Sequence, residues 1–384
     1  MIYLDNNATT PIAEEVKEAI RESLDLYGNP SSSHLTGQAA KKVIETSRKM
    51  VAAMLGASPD EIVFTSGGTE SNNLALFGIA SLHKKGHIIS SAIEHPSIKA
   101  PLLELRRRGF DVTFIKPNAE GIVEPESVKE AISKRTFLIT LMHANNETGV
   151  IQPVEEIARI ARKRGILFHT DAAQSIGKIP VKVDKLQVDL LTVVSHKFYG
   201  PKGVGALYIR KGTRISPILF GAGHEGGIRP GTENTHLIAG LGRASELTNY
   251  ELKEREPKLR YLTELLHSLL REAIPDIRLN GSAEKRLPNT LNLSIPGVRG
   301  YELVEALKEQ VAISAGSACH AGRVHASEVL LSMGIDKKSA LSSVRISTGR
   351  ENTEEEIRTA AHLIGEAVKK LRKKRGIRRL FHFK

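Results

Sequence analysis

The chain has 384 residues with an ordinary globular composition, 40% hydrophobic and 26% charged, which allows two folded domains. Nine basic residues lie in the last sixteen positions, 369–384, so the formal net charge of +12 indicates a basic tail and not nucleic-acid recognition as the main task. No apolar run approaches the roughly 20 residues of a membrane span, and the first residues lack the features of a signal peptide, so we expect a cytoplasmic protein.

Short apolar segments alternate with amphipathic helical segments through the first two thirds of the chain. The predicted helices include residues 125–133 and 154–164. The predicted strands are residues 62–65, 87–91, 112–115, 137–142, 166–169 and 190–194. This alternation predicts an α/β domain with a mainly parallel sheet between helices. Polar residues follow almost every strand, which is typical of a site at the carboxyl ends of the strands.

The pattern changes after about residue 250. A long charged helix is predicted for 250–272 and a strand for 290–294, followed by a helix near 302–308 and a last helix from about 353. We interpret this part as a smaller α+β domain. The predicted large domain covers residues 13–250, and the predicted small domain covers residues 1–12 and 251–384.

Cys319 is the only cysteine of the chain and lies in a glycine- and serine-rich stretch, residues 314–322. One thiol cannot close an intramolecular disulfide, and a structural zinc site normally needs two or more sulfur ligands. Two interpretations remain, a reactive thiol and a small buried hydrophobic residue. No metal site is predicted.

A glycine pair stands between a predicted strand and a predicted helix in residues 65–73. Glycine at this point lets backbone N–H groups approach an anion, and the helix N-terminus adds a partial positive charge. Gly68 and Thr69 therefore form a candidate phosphate cradle, although a simple turn with an N-cap has the same pattern.

Two consecutive strands deliver Asp171 and Lys197 to what we expect to be one cleft. This pair suits pyridoxal phosphate, which needs a carboxylate at its pyridine nitrogen and a lysine for the Schiff base. His95 could stack on a flat cofactor or transfer protons, and the amides of Asn146 and Gln174 could bind its ring hydroxyl. Each residue taken alone also fits a capping, surface or loop position.

Nine segments in chain order together resemble the NifS/IscS-type cysteine desulfurases of the class V aminotransferase superfamily. The segments are residues 5–10, 64–73, 94–95, 144–149, 169–174, 196–205, 229–232, 316–319 and 343–347. The resemblance implies a homodimeric pyridoxal phosphate enzyme of fold-type I with a seven-stranded-type sheet in its large domain. It further implies conversion of L-cysteine to L-alanine, with a persulfide on Cys319. The sulfur would pass to an acceptor or scaffold protein of iron–sulfur cluster or thiolation pathways.

Position by position, the resemblance assigns a role to each matching residue. Lys197 would attach the cofactor, Asp171 would bind the pyridine nitrogen and His95 would stack and transfer protons. Arg345 would clamp the substrate carboxylate, and Asn146 would contact both substrate and cofactor. The remaining cofactor-binding residues would be Gly68, Thr69, Gln174, His196 and, from the neighbouring subunit, Thr232. A serine often found two positions before His196 is Val194 here, so Ser195 is the neighbouring hydroxyl that could reach the phosphate.

The segment Cys319-His-Ala-Gly-Arg-Val-His325 differs from the Ser/Thr-rich continuation of housekeeping desulfurases and is closer to selenocysteine lyases. Release of selenium from L-selenocysteine is therefore the alternative function. A nucleic-acid-binding or scaffold protein that uses the basic tail is a further alternative from a different class.

Overall fold

The computed structural model describes residues 1–315, 317–320 and 323–381, of which 317–320, 323–324 and 375–381 are described by their backbone alone. The helices are α1 (Glu14–Ser23), α2 (Leu35–Leu55), α3 (Gly68–Ala80), α4 (Pro96–Arg107), α5 (Pro125–Ala131), α6 (Val154–Arg162), α7 (Val183–Leu186), α8 (Thr235–Ala273), α9 (Gly300–Leu307), α10 (Glu328–Ser332), α11 (Lys337–Leu341) and α12 (Glu354–Phe381). The strands are β1 (Ile2–Tyr3), β2 (Ile62–Thr65), β3 (His87–Ser91), β4 (Asp111–Ile115), β5 (Thr136–Thr140), β6 (Leu167–Asp171), β7 (Leu190–Val194), β8 (Gly205–Ile209), β9 (Arg278–Leu279), β10 (Thr290–Ser294), β11 (Val311–Ala312), β12 (Ser314–Ala315), β13 (Ser317–His320), β14 (Arg323–Ala326) and β15 (Ser343–Ser347).

The larger sheet has seven strands in the order β2-β8-β7-β6-β5-β3-β4. Strands β3 to β7 run parallel, and β8 pairs antiparallel with both β7 and β2. This arrangement confirms the predicted mainly parallel sheet. β8 is not among the predicted strands, although all five of its residues are buried and it has the same continuous apolar composition as its parallel neighbours.

Helices cover both faces of this sheet. Apolar residues of α3 and α4 form one core with the strands, and those of α2, α6 and the first half of α8 form another. Consecutive residues of one strand point to opposite faces, so each pair in the central strands is divided between the two cores. The pairs are Ile88 and Ile89, Leu138 and Ile139, and Leu190 and Leu191.

A second, four-stranded antiparallel sheet has the order β12-β15-β10-β9. It packs with α9, α12 and the second half of α8 around a separate core, which Leu4 from the N-terminal segment joins. The predicted boundary at residue 250 lies inside α8, which is continuous from Thr235 to Ala273. Val329 and Leu330 of α10 belong to the core of the larger sheet. The domain limits therefore stay a prediction.

The parallel strands bring their carboxyl ends to the same edge of the larger sheet. β6 ends at Asp171, which pairs in register with Thr192 of the neighbouring β7. A 3₁₀ turn, Ser195–Lys197, follows β7 directly. The chain thus delivers the predicted carboxylate and the predicted lysine to adjacent positions, as the order of the strands in the sequence indicated.

Candidate active site

A cavity of about 370 Å³ opens at this edge of the sheet, within the size range of small-molecule sites. Nine of the residues predicted for the site line it: Gly68, Thr69, His95, Asn146, Asp171, Gln174, His196, Lys197 and Arg345. Its other lining residues, for which the sequence predicted no role, are Asn7, Ala8, Asn72, Ser97, Met142, Ala144, Ala173 and Val194.

The Asp171 carboxylate is held by two hydrogen bonds. The backbone N–H of Ala173 donates to its Oδ1 at 2.9 Å, and the Asn72 amide donates to its Oδ2 at 2.8 Å. Asn72 also donates to Ser97 Oγ at 2.8 Å and accepts from Thr192 Oγ1 at 2.7 Å. These two bonds fix the orientation of the carboxylate in the cavity.

Asn72 is not among the predicted site residues, although its position in the sequence relates it to one of them. It lies four residues after Gly68 on α3, which places the two residues on the same helical face. The position one helical turn after Gly68, on the same face of α3, is therefore the signal in the sequence for Asn72.

Lys197 points into the cavity from the 3₁₀ turn. Its Nζ donates to the carbonyl oxygens of Asn7 at 2.7 Å and Ala8 at 2.8 Å. Burial lowers the pKa of Lys197 to about 8, and the positive charge of Arg345 acts in the same direction. The amine therefore loses its proton much more readily than an exposed lysine.

His95 caps the N-terminus of α4, where its Nδ1 accepts from the backbone N–H of Ser97 at 3.2 Å and lies 2.8 Å from Ser97 Oγ. Burial lowers the pKa of His95, and the nearby Asp171 only partly opposes this. The neutral imidazole can therefore act as a proton acceptor near neutral pH.

The start of α3 fits an anion. Gly67 has a φ of 145°, and a Cβ added to Gly68 would lie 2.5 Å from Cγ2 of Val194. Only glycine at position 68 lets the backbone of the first helical turn lie this close to the end of β7. Gly68 and Thr69 both line the cavity, and the first N–H groups of a helix have no partner within the helix.

Ser195, a predicted cofactor-binding residue, does not line the cavity. Val194 and Ser195 point in opposite directions, as consecutive residues at the end of a strand do, and Val194 takes the cavity position. The Ser195 hydroxyl is directed at Gly200, where an added Cβ would lie 2.1 Å from it. It finds no hydrogen-bond partner among the described residues.

Arg345 of β15 reaches the cavity from the second sheet. Its guanidinium donates to the Asn146 carbonyl at 3.1 Å, to Asp5 Oδ1 at 2.6 Å and to Ser314 Oγ at 3.1 Å. Its Nε is buried and has no partner in the part of the chain that the structure describes. The planar group is thus fixed between two elements and suits a carboxylate ligand.

Two further predicted site residues, Cys319 and Thr232, cannot be assigned to the cavity. The Cys319 side chain lies outside the described residues, although its backbone belongs to β13, which pairs with β14. Thr232 is exposed and does not line the cavity of its own chain.

The loop that leads to Thr232 is anchored by Glu225, whose φ is 50° and whose side chain is 1% exposed. Its carboxylate accepts two hydrogen bonds from Arg48, at 2.8 and 2.7 Å, and one from the backbone N–H of Phe64 at 2.7 Å. Further along the same loop, Arg229 pairs with Glu70 of α3 at 2.7 Å. The loop is therefore held against β2 and α3, close to the phosphate cradle.

In the described part of the chain, no helix combines the length and the apolar character needed to cross a membrane. Within the same residues, histidine, cysteine and acidic side chains form no group of three or more that could hold a metal ion.

The aminotransferase class-V family model matches residues 2–359. The chain belongs to the class-V aminotransferase family. Enzymes of this family use pyridoxal phosphate, which confirms the predicted cofactor. The family resemblance stated from the sequence is also confirmed, together with the fold class.

A relative from Dictyoglomus turgidum named cysteine desulfurase IscS is 44% identical over 97% of this chain and 95% of its own length. A solved NifS-like protein has a TM-score of 0.90 and 39% identity, over 96% of this chain and 99% of its own. A solved structure described as SspA in complex with cysteine has a TM-score of 0.80 and 38% identity, over 90% and 98%.

The cavity fits the cofactor of the family on its own geometry. A fixed carboxylate, a lysine with a lowered pKa and a glycine-lined helix N-terminus are three features that pyridoxal phosphate requires, and all three line one cavity.

Proposed function

We propose that this member of the family is a pyridoxal-phosphate-dependent cysteine desulfurase that converts L-cysteine to L-alanine. The observation that carries the proposal is the meeting of Lys197, Asp171 and Arg345 in one cavity, in a chain whose relatives named cysteine desulfurase are 43–45% identical. The cavity accounts for cofactor and amino-acid binding. The single cysteine accounts for the sulfur chemistry.

The start of α3, with Gly68 and Thr69, would hold the phosphate together with His196, and Thr232 of a second subunit would complete the cradle. Asp171 would bind the pyridine nitrogen, and Gln174 would bind the ring oxygen. Bound there, pyridoxal phosphate would supply an electron sink for negative charge on the substrate's α-carbon.

Lys197 would attach the cofactor and then take the proton from the substrate's α-carbon. A lysine with an ordinary pKa would be almost fully protonated near neutral pH and could not accept that proton. The burial that lowers the pKa of Lys197 to about 8 provides a neutral fraction. His95, also neutral because of burial, would transfer further protons.

Arg345 would orient the substrate by its carboxylate. The guanidinium already donates to the carboxylate of Asp5 and to the carbonyl of Asn146, so it is held in place before the substrate arrives. The substrate would therefore meet a pre-oriented fork, which lowers the entropic cost of fixing it.

The thiolate of Cys319 would attack the sulfur of the substrate. An S–S bond forms and the Cβ–S bond of the substrate breaks, while the carbon keeps the electron pair and takes a proton. The sum of L-cysteine and protein thiol thus equals L-alanine and protein persulfide, so no external oxidant or reductant is needed. Sulfur would then pass to an acceptor or scaffold protein of iron–sulfur cluster or thiolation pathways.

We further propose a homodimer, since Thr232 is exposed in its own chain and the loop before it is anchored by Glu225. Light scattering tests this. We expect a species of twice 42.0 kDa, and full activity in a 42.0 kDa species would contradict it.

L-Selenocysteine is the competing substrate, because the segment that begins at Cys319-His320 resembles selenocysteine lyases. One preparation of the holoenzyme should be given each amino acid, with alanine and released sulfide or selenide measured. Turnover of both amino acids, with cysteine consumed at a comparable rate, supports the desulfurase. Turnover of selenocysteine alone contradicts it in favour of the lyase.

A further inference from the structure

Lys178 is buried next to the cavity but does not line it. Only 4% of the residue is exposed, and its Nζ donates to Gln174 Oε1 at 2.8 Å. A lysine is almost never buried without a partner, and here the observed partner is a neutral amide and not a carboxylate. Through this hydrogen bond, Lys178 contacts Gln174, which lines the cavity.

The charged and titratable groups near Lys178 disfavour its positive charge. Positive charge on Lys197 and on Arg345 acts against a charge on Lys178. Burial lowers the pKa of His196, and Lys178 in turn contributes to this shift. Burial lowers the pKa of Lys178 well below the usual value, and the two cations act in the same direction. An amine donates N–H in either protonation state, so the bond to Gln174 does not depend on the charge.

Gln174 is fixed from both ends of its amide. Its Nε2 donates to the Asn7 carbonyl at 3.0 Å, and this carbonyl also accepts from Lys197 Nζ at 2.7 Å. Its Oε1 is taken by Lys178. Because Oε1 already accepts from Lys178, Gln174 can offer the cavity only the second N–H of its Nε2.

We propose that Lys178 is a positioning residue that holds the Gln174 amide as a hydrogen-bond donor towards the ring oxygen of the cofactor. This rests on the proposed function, since it requires pyridoxal phosphate in the cavity. A donor at that point favours the ionised ring oxygen over the protonated one. Lys178 thus acts on the protonation of the bound cofactor through Gln174.

The test is the pH midpoint of the change in visible absorption of bound pyridoxal phosphate. Lys178→Met removes the donor at nearly constant volume and should raise the midpoint by about one pH unit. Lys178→Gln keeps an N–H donor and should restore part of the wild-type value. The matched control is Lys182→Met, because Lys182 Nζ donates to the Met54 carbonyl at 2.8 Å, away from the cavity.

The outcomes separate this inference from the proposed function. A wild-type protein that takes up no pyridoxal phosphate overturns both. A wild-type protein that titrates normally, with Lys178→Met at the same midpoint, overturns the role of Lys178 alone. If circular dichroism shows that Lys178→Met does not fold, Gln174→Leu decides. It lacks the same donor and should show the same rise, and an unchanged midpoint overturns the inference.

Discussion

Replacing Asn72 by aspartate should make the protein lose stability as pH rises, whereas replacing the adjacent Asn73 by aspartate should not. Asn72 Nδ2 lies 2.8 Å from Asp171 Oδ2, so Asn72→Asp puts a second carboxyl group against the first in a buried place. Two ionised carboxylates with charge centres about 4 Å apart repel by about 4 kcal/mol at an effective dielectric constant of about 20. This raises the pKa of the new carboxyl group by about 3 units, from about 4 to about 7.

The sign follows from proton binding. In the folded state the pair keeps a proton up to about pH 7, whereas the unfolded chain releases it above about pH 4. The folded variant therefore loses stability as pH rises through this window. Between about pH 5 and about pH 8, the deficit relative to wild type should grow by about 2.5 kcal/mol. A protonated carboxyl donates one hydrogen bond where Asn72 donates two, which adds a pH-independent loss of about 1 kcal/mol.

The assay is urea unfolding of the cofactor-free protein at the two pH values, with Asn73→Asp as the matched control. Asn73 lies next to Asn72 on α3, but its amide donates to the Thr69 carbonyl in an exposed position. The control should show no comparable pH dependence. If the difference between the two variants is the same at both pH values, the contact between Asn72 and Asp171 does not exist as described.

Two further substitutions test the cofactor lysine and the loop anchor. Lys197→Ala should abolish covalent attachment of pyridoxal phosphate, measured by borohydride reduction and mass spectrometry; a reducible attachment at full occupancy would overturn the assignment. Glu225→Gln removes the buried carboxylate that pairs with Arg48 and leaves only the more exposed Glu45 as its counter-charge, so unfolding in urea should show a loss of about 3 kcal/mol. Glu14→Gln, on an exposed pair with Lys17, should show no measurable change, and equal effects of the two substitutions would refute the role of Glu225.

The sheet and the residues at its strand ends could be predicted because each depends on a short stretch of sequence. β2, β3 and β7 have the predicted limits, since short buried apolar runs between turns mark strands without reference to the rest of the chain. Asp171 and Lys197 follow consecutive strands, so their meeting needed only the rule that parallel strands end at one edge.

The polar contacts that support these residues could not be predicted, because each joins distant parts of the chain. Asn72 and Asp171 are 99 positions apart, and Arg48 and Glu225 are 177 positions apart. A sequence without its fold gives no sign of which buried amide meets which carboxylate.

The choice between Val194 and Ser195 depends on a single residue, and Val194 is the one that lines the cavity. A shift of one position along a strand reverses the face to which a side chain points. The sequence alone favours the Ser195 hydroxyl, because a hydroxyl can bind a phosphate and the valine side chain cannot.

In the proposed reaction, Cys319 takes sulfur from L-cysteine. The most direct measurement is mass spectrometry of the peptide that contains Cys319, after the holoenzyme is mixed with L-cysteine and quenched, with alanine counted in the same sample. We expect a gain of one sulfur atom on Cys319 and an equal amount of alanine, and no alanine from Cys319→Ser under the same conditions. Near wild-type release of alanine by Cys319→Ser, or alanine without modification of the thiol in the wild-type protein, would contradict it.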